Sequence, residues 1–291
     1  MDKNYYTYLT QRLDKGISKN PVIKEAEKRI REILKRKSVV HLADIGCFSG
    51  SVINRIYENL PIKLKDRVKL VGVDNYRETL AKGKKNYPAI TFVVGDLSKK
   101  IPLIGQYEVV ILSNVLHEVY SEKIQKNQSL LSGKKALGLA IHNATSILDK
   151  NGYLIILDGI KSSFSSRSIT IEFASRLILE EFLDFAKRYK ALPIKVENLS
   201  DEIIRTDLAS LAAFLTKARY LDESYWQRES LERYQYFTAR DFEKMLANEK
   251  MKIVKFELQN FSREEIRRQI KSVKPSITVP AKNVLIVAKK F

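Results

Sequence analysis

Strand-sized apolar segments alternate with amphipathic segments over most of the chain. The apolar segments contain few polar interruptions, which is typical of parallel strands buried on both faces of a sheet. Repetition of strand and helix predicts right-handed crossovers and a doubly wound α/β fold. The predicted strands are 38–45, 68–73, 90–94, 107–112, 153–157, 251–258 and 283–288. The predicted helices among them are 51–60, 76–86, 135–148 and 238–248.

The start of the chain is predicted to be a helical extension over residues 1–37, with helix from about residue 5. Pro21 suits the first turn of a helix, and the residues after it place apolar side chains three and four positions apart. This apolar stripe comprises Val22, Ile23, Ala26, Ile30, Ile33 and Leu34. Because the opposite face is charged, we expect the helix to pack on the core ahead of the first strand.

The alternation stops between residues 161 and 236, where the sequence shows no convincing strand. Segments 175–190 and 207–237 have helical patterns instead, which predicts a helical insertion after the fifth strand. The remaining segments, 38–160 and 237–291, are predicted to form the α/β core.

Residues 39–50 run from an apolar strand into a glycine-containing turn and then into a helix. Gly46 and Gly50 let the backbone approach a ligand without an intervening Cβ. The helix that follows presents free N–H groups and the positive end of its dipole. The turn is therefore a candidate site for a phosphate or another polar group.

Acidic residues follow the next two strands. Asp74 can accept hydrogen bonds from both hydroxyls of a ribose. Asp96 can accept from an adenine amino group, and Leu97 beside it can donate its backbone N–H. An Asp after a strand can also cap a turn, but recurrence after successive strands favours a nucleoside site.

This set of residues resembles the class I S-adenosylmethionine-dependent methyltransferases. The first motif of that family is an acid followed by glycines, as in residues 44–50, and Asp74 and Asp96 match its ribose and adenine acids. Residues 109–118 match its fourth-strand motif. Residues 148–158 match its fifth-strand approach in the form found in members that do not act on nucleic acid.

The resemblance covers residues 38–160 and resumes over 237–291. It implies a Rossmann-like fold with a seven-stranded, mostly parallel sheet, S-adenosylmethionine as cofactor and methyl transfer as activity. The cofactor-binding residues that it implies are Asp44, Gly46, Cys47, Gly50, Asp74, Asn75, Asp96, Leu97, Ser113 and Asn114. Asn114 is expected at the methionine end of the cofactor.

Phe48 stands where the family usually has a further glycine. The backbone of the turn could therefore differ, or the phenyl ring could fold away from the cofactor. Phe48 also motivates one alternative, an inactive relative that acts as a binding module. A dehydrogenase is disfavoured because Gly46-Cys47-Phe48 breaks the three-glycine fingerprint of dinucleotide sites.

His117 is the candidate catalytic base. Methyl transfer mainly requires alignment of acceptor, methyl and sulfur, and a base is needed only if the acceptor must lose a proton. The alternative is a histidine that packs under the cofactor or caps a helix. His41 and His142 are interpreted as structural, and no Cys/His cluster has metal-ligand spacing, so no metal is expected.

The insertion lies where relatives often build an acceptor pocket, so it is a candidate lid over a small or medium-sized acceptor. Its aromatic residues could stack on a planar acceptor and its arginines could bind an acid. The candidate acceptor-binding residues are Arg219, Tyr220, Trp226, Arg228 and Tyr234. Ordinary packing within a lid is the alternative. The methylated atom (oxygen, nitrogen or carbon) is left open.

The net charge of +18 makes RNA a second candidate acceptor, because basic surfaces attract polyanions. The basic residues are spread along the chain, as expected also for a merely solvated surface. The fourth strand ends in Ser-Asn-Val-Leu. It lacks the Asn/Asp-Pro-Pro-Tyr/Phe motif typical of enzymes that methylate exocyclic amines of bases.

The chain has one cysteine, so an internal disulfide is impossible and a reducing, cytoplasmic location is expected. No apolar run approaches the ~20 residues that span a bilayer, so no membrane partner is expected. The oligomeric state is left open.

Overall fold

The structure is a computed structural model in which residues 20–103, 105–127 and 129–291 are described. The predicted helix from about residue 5 therefore lies outside the described residues up to residue 19. The strands are β1 (Val40–Ile45), β2 (Val68–Asp74), β3 (Ile90–Val94), β4 (Tyr107–Ser113), β5 (Leu148–Gly159), β6 (Ser168–Phe173), β7 (Glu197–Asn198), β8 (Ile203–Asp207), β9 (Met251–Gln259), β10 (Ile270–Lys274) and β11 (Asn283–Lys290).

The helices are α1 (Asn20–Ile33), α2 (Ser51–Asn59), α3 (Ile62–Lys65), α4 (Arg77–Asn86), α5 (Leu116–Asn127), α6 (Leu130–Ser146), α7 (Arg176–Arg188), α8 (Leu208–Lys217), α9 (Trp226–Glu229), α10 (Ala239–Asn248) and α11 (Arg263–Gln269). The chain divides into two compact units. The first comprises the described residues up to Asp158 with Glu243–Glu257 and Leu285–Phe291, and the second comprises Gly159–Phe242 and Leu258–Val284.

The main sheet has seven strands in the order β3-β2-β1-β4-β5-β11-β9. β1 pairs in parallel with β2 and β4, β2 with β3, and β4 with β5. The predicted Rossmann-like sheet with flanking helices is confirmed. Strand order reverses between β1 and β4, and doubly wound sheets bind ligands at the carboxyl edge beside such a reversal.

Burial explains why these segments form strands. All seven residues of β4 are buried, and β1 exposes only His41, so both faces of these strands are covered. α1 buries the predicted apolar stripe, including Val22, Ala26 and Ile30, which confirms the helix over the described part of the extension. These contacts fix the strands that end at the candidate site.

The second unit differs from the sequence prediction, which gave residues 161–236 as helical without strands. It contains a four-stranded sheet in the order β10-β6-β8-β7, in which β6 pairs antiparallel with β8 and β10. β6 alternates buried and less buried residues, with Ile169, Ile171 and Phe173 inward. The prediction was wrong there because the strands are short and β10 lies about a hundred residues beyond β6.

The helical segments predicted in this unit are partly confirmed. α7 occupies most of segment 175–190, and α8 opens segment 207–237, which continues as short turns and α9. Three phenylalanines from β6, α7 and α8 meet in the core: Phe182 lies 5.3 Å from Phe173 and 5.1 Å from Phe214, ring centre to ring centre. No helix in the described ranges combines the length and apolar character needed to cross a membrane.

Candidate functional site

The turn after β1 requires glycine at two positions. Gly46 has φ 78° and Gly50 has φ 84°, in the left-handed region that side chains disfavour. A Cβ on Gly46 would lie 2.6 Å from Cγ2 of Val115, and a Cβ on Gly50 would lie 2.7 Å from the Phe92 ring. The Gly46 N–H donates to the carbonyl of Val73 at 2.8 Å, which ties the turn to the end of β2.

Phe48 keeps the glycine-like backbone of the turn. Its φ is 53°, although a residue with a Cβ in this region costs roughly 1–2 kcal/mol. Its N–H donates to Oδ2 of Asp74 at 2.8 Å. The substitution therefore leaves the turn in a left-handed conformation and couples the turn directly to the acid of the next strand.

Asp74 is buried at the end of β2, where both of its carboxylate oxygens are oriented by backbone groups. Oδ2 accepts from Phe48, and Oδ1 accepts from the N–H of Tyr76 at 3.0 Å. A carboxylate is the kind of acceptor that ribose hydroxyls require. The neighbouring Asn75 is exposed.

Asp96 and Leu97 follow β3. Oδ1 of Asp96 accepts from the N–H of Ser98 at 2.9 Å and from its hydroxyl at 2.8 Å. Burial opposes ionisation of Asp96, but the Ser98 hydrogen bonds and the charge of Lys99 outweigh it and lower the pKa of the carboxyl. Asp96 therefore remains an ionised acceptor at neutral pH.

Asn143 on α6 binds the loop that follows Asp96. Its Nδ2 donates to the carbonyl of Leu97 at 2.9 Å and to the carbonyl of Lys99 at 2.7 Å. Sequence reasoning missed Asn143, which lies 46 residues from Leu97 in the chain. The available signal was an amide on the mainly apolar buried face of the helix, near Ala140 and Ala144.

Asp44 and Cys47 are buried under the turn. Burial raises the pKa of the Cys47 thiol well above its ordinary value, and the carboxylates of Asp44 and Asp74 raise it further. The thiol is therefore protonated and inert at neutral pH. At the end of β4, Ser113 is buried and Asn114 has φ 56°, a conformation that asparagine tolerates well.

His117 and Asp158 form a buried pair at the ends of β4 and β5. His117 Nδ1 lies 2.9 Å from Oδ1 of Asp158, while Oδ2 accepts from the N–H of Leu116 at 2.9 Å. Asp158 thus caps the first turn of α5 and orients the imidazole. With the carboxylate as acceptor, Nδ1 carries the proton and Nε2 is the basic atom. The pairing was not anticipated, although the sequence analysis included Asp158 in the fifth-strand motif.

The other two histidines lie elsewhere in the first unit. His41 is exposed on β1 and its Nδ1 lies 3.4 Å from Glu108, while the exposed His142 on α6 lies 3.0 Å from Glu249. In the described part of the chain, no group of three or more His, Cys, Asp and Glu side chains is arranged to hold a metal ion.

Within the second unit, the candidate acceptor residues make contacts of their own. Trp226 and Tyr220 are buried, with the Trp226 ring 5.9 Å from that of Phe185. The Arg219 guanidinium lies 4.7 Å from the Tyr220 ring centre. The remaining two candidates are also bonded, Arg228 to Glu232 at 3.3 Å and Tyr234 to Asn283 at 2.7 Å. These contacts fit the alternative of internal packing, and acceptor binding by the five residues stays a prediction.

The fold is that of the class I S-adenosylmethionine-dependent methyltransferases. A solved S-adenosylmethionine-dependent methyltransferase from Clostridium acetobutylicum is 11% identical, with 99% of each chain covered and a TM-score of 0.50. Magnesium protoporphyrin IX methyltransferase from Synechocystis, solved with bound SAH, is 13% identical over 96% of this chain and 86% of its own, with a TM-score of 0.49.

An O-methyltransferase family 2 protein from Planctomyces limnophilus, solved in complex with apigenin, is 15% identical with a TM-score of 0.47. The match covers 88% of this chain and 52% of that protein, so this chain spans about half of its length. No model of a known protein family and no curated protein sequence matches the chain. At these identities the likeness concerns the fold alone.

Proposed function

We propose that the chain is an S-adenosylmethionine-dependent methyltransferase acting on a small or medium-sized acceptor that loses a proton. One observation carries the proposal. Adjacent strands β1, β2 and β3 end, at one edge of the sheet, in the glycine turn, Asp74 and Asp96. A nucleoside at this edge would meet a turn whose conformation requires glycine and two carboxylates that are oriented by hydrogen bonds.

The residues at this edge fit the cofactor. Asp74 would hold the ribose hydroxyls, Asp96 and the N–H of Leu97 would hold the adenine, and Asn114 would line the methionine end. The glycine turn would lie against the cofactor, and its conformation depends on glycine because a Cβ at Gly46 or Gly50 would collide with Val115 or Phe92. When bound, S-adenosylmethionine supplies a methyl group already activated as an electrophile.

His117 is the proposed base. Its pairing with Asp158 fixes the ring, and Nε2 is the atom that would take the proton from an acceptor hydroxyl. An amine acceptor would use its own lone pair and would not need this pair. The buried histidine–carboxylate arrangement therefore favours an acceptor that is deprotonated, at oxygen or at an acidic carbon, over a neutral amine.

Cofactor binding is tested first by calorimetric titration with S-adenosylhomocysteine. Removing a carboxylate that accepts ribose hydroxyls costs about 1.5–3 kcal/mol, so we expect Asp74→Ala to weaken binding roughly tenfold or more. Asp66→Ala, which removes an exposed carboxylate, is the matched control. Parent-like affinity in Asp74→Ala would remove the ribose assignment, and no binding by the parent chain would favour an inactive relative.

The acceptor and base are tested by transfer of label from methyl-tritiated S-adenosylmethionine into a cell extract, separated into RNA, protein and small-molecule pools. We expect label in the small-molecule pool. His117→Ala should lose turnover about 10²-fold or more while keeping cofactor affinity. His142→Ala, which removes an exposed histidine, should keep both. Intact turnover in His117→Ala would refute the base.

RNA is the second candidate acceptor, favoured by one surface. Three cations lie at i, i+4 and i+7 on one exposed face of α1, and a fourth follows in the turn after the helix. They are Lys24, Lys28, Arg31 and Lys35, which line a cleft with Glu27 and Glu32. Label that RNase releases from the RNA pool would favour this candidate over a small acceptor.

A further inference from the structure

The outer edge of β9 is one of the two edges of the main sheet. β9 is the last strand in the order of the main sheet, and within the described ranges no strand pairs with its outer side. Val254 and Leu258 on this strand are 43% and 49% exposed. An exposed strand edge that carries apolar side chains is a template for pairing with another strand.

The side chains of β9 divide into two rows, because successive residues of a strand point to opposite faces. Val254, Phe256 and Leu258 form an apolar row on one face. Lys255 and Glu257 lie on the other, where Lys255 Nζ is 3.0 Å from the Glu257 carboxylate. The strand thus combines an apolar row with two opposite charges spaced two residues apart.

Symmetry restricts how two copies of this strand could pair. Residues directly opposite each other in an antiparallel pair point to the same face. A two-fold axis normal to the sheet leaves each residue pointing to the same face in both copies. Because opposite residues must share a face, the axis must place one residue opposite its own copy. The choice of that central residue defines the register.

Only one central residue near the middle of β9 gives compatible neighbours. A centre at Lys255 or at Glu257 would oppose like charges, which is destabilising. A centre at Val254 would place Lys252 against Phe256. A centre at Phe256 places Val254 opposite Leu258, and Lys255 opposite Glu257, so each apolar residue meets an apolar one and each charge meets its opposite.

We propose that two copies of this chain pair through β9, antiparallel about a two-fold axis at Phe256, and join their seven-stranded sheets into one. The apolar row and the charge pair are both self-complementary in this register. Pairing of single strands gives a small interface, so the dimer is expected to dissociate on dilution. The proposal does not depend on the enzymatic assignment.

The first test is the mass of the full chain by sedimentation equilibrium over a wide concentration range. We expect a monomer–dimer equilibrium, weakened about tenfold or more by Val254→Lys, which sets a charge against the apolar Leu258 of the other copy. Leu139→Lys, at an exposed apolar position on α6, is the matched control. A parent chain that is monomeric at every concentration would overturn the proposal.

The second test fixes the register with thiol crosslinking, because the natural cysteine, Cys47, is buried. Phe256→Cys should form a disulfide-linked dimer under mild oxidation, since each thiol faces its own copy. Val254→Cys alone should not crosslink, but a mixture of Val254→Cys and Leu258→Cys should. If Val254→Cys alone crosslinks efficiently or the mixture does not crosslink, the Phe256-centred register is refuted, even where Phe256→Cys fails to fold.

Discussion

At the scale of single residues, Asn143 acts on a loop that is far away in the chain. Both hydrogens of its amide are used, one on each of two carbonyls of the loop that follows Asp96. The loop therefore has its conformation set by a helix on which no ligand-binding residue is proposed. Its contribution is to position Asp96 and Leu97, which are assigned to the adenine.

The substitution Asn143→Asp tests this positioning. It removes both donors and sets a carboxylate against two carbonyl oxygens, so we expect a loss of about 1–3 kcal/mol in the free energy of unfolding. Affinity for S-adenosylhomocysteine should fall with it, measured by calorimetry. Asn198→Asp, at an exposed amide on β7, is the control. Unchanged affinity in a destabilised Asn143→Asp would limit the residue to a structural role.

Two substitutions of Phe48 test the role of its left-handed backbone conformation. Phe48→Gly keeps the N–H that donates to Asp74 and removes the left-handed penalty, so cofactor affinity should be retained. Phe48→Val puts a β-branched residue at φ 53° and should lower both stability and affinity. Denaturant unfolding and cofactor titration measure the two effects. Equal behaviour of the two variants would argue against backbone conformation as the cause.

At the scale of elements, a buried ion cluster joins the end of α8 to the segment around α9. Lys217 is buried and its Nζ lies 2.5 Å from Glu229 and 2.8 Å from Glu232. Burial opposes its charge, but the two carboxylates outweigh burial and raise the pKa of Lys217 well above its ordinary value. The cluster therefore ties the short helix α9, which contains Trp226, to the end of α8.

Lys217→Met should lower the free energy of unfolding by about 3–5 kcal/mol, because two buried carboxylates lose their counter-ion. Adding Glu229→Gln and Glu232→Gln should recover much of this loss, whereas the exposed Lys190→Met should change little. Because folding raises the pKa of Lys217, the stability that its charge contributes is fully present below the unfolded-state pKa of about 10.4. That stability is lost as pH rises through the folded-state pKa. The difference in the free energy of unfolding between the parent and Lys217→Met should therefore be constant from about pH 7 to 9.

The elements that could be predicted are those whose signal is local. β1 to β5 each contain a mainly apolar run and recur between helices, so periodicity alone located them. β6 alternates polar and apolar residues, and it pairs with β8 and with the distant strand β10. Tertiary context decides such strands, as it decides that Asn143 reaches the Leu97 loop and that Asp158 meets His117.

At the scale of the whole molecule, the charge of +18 has a local concentration on the exposed face of α1. Cations on one helix face can neutralise successive phosphates of a strand and release its counterions. If this face binds RNA, the salt dependence of binding should report how many of its cations are engaged.

Replacing Lys24, Lys28 and Arg31 of α1 and the adjacent Lys35 by glutamine should reduce the slope of log affinity against log salt by roughly 0.7 per cation engaged on single-stranded RNA. The control replaces four exposed lysines elsewhere, Lys63, Lys84, Lys85 and Lys100, with the same change in net charge. Fluorescence anisotropy over a salt series measures both. Equal slopes for the two variants would mean that the charge acts only as a general surface property.

The buried thiol of Cys47 gives the molecule its own reporter. Since it lies under the glycine turn and is held in its unreactive form, an alkylating reagent reaches it only when the turn opens. A ligand that binds only the closed turn slows that alkylation by a factor of one plus the ratio of the free ligand concentration to Kd. The rate at which one natural sulfur is modified thus measures occupancy of the turn without any label, and a compound collection can be screened for ligands of the turn by mass spectrometry alone.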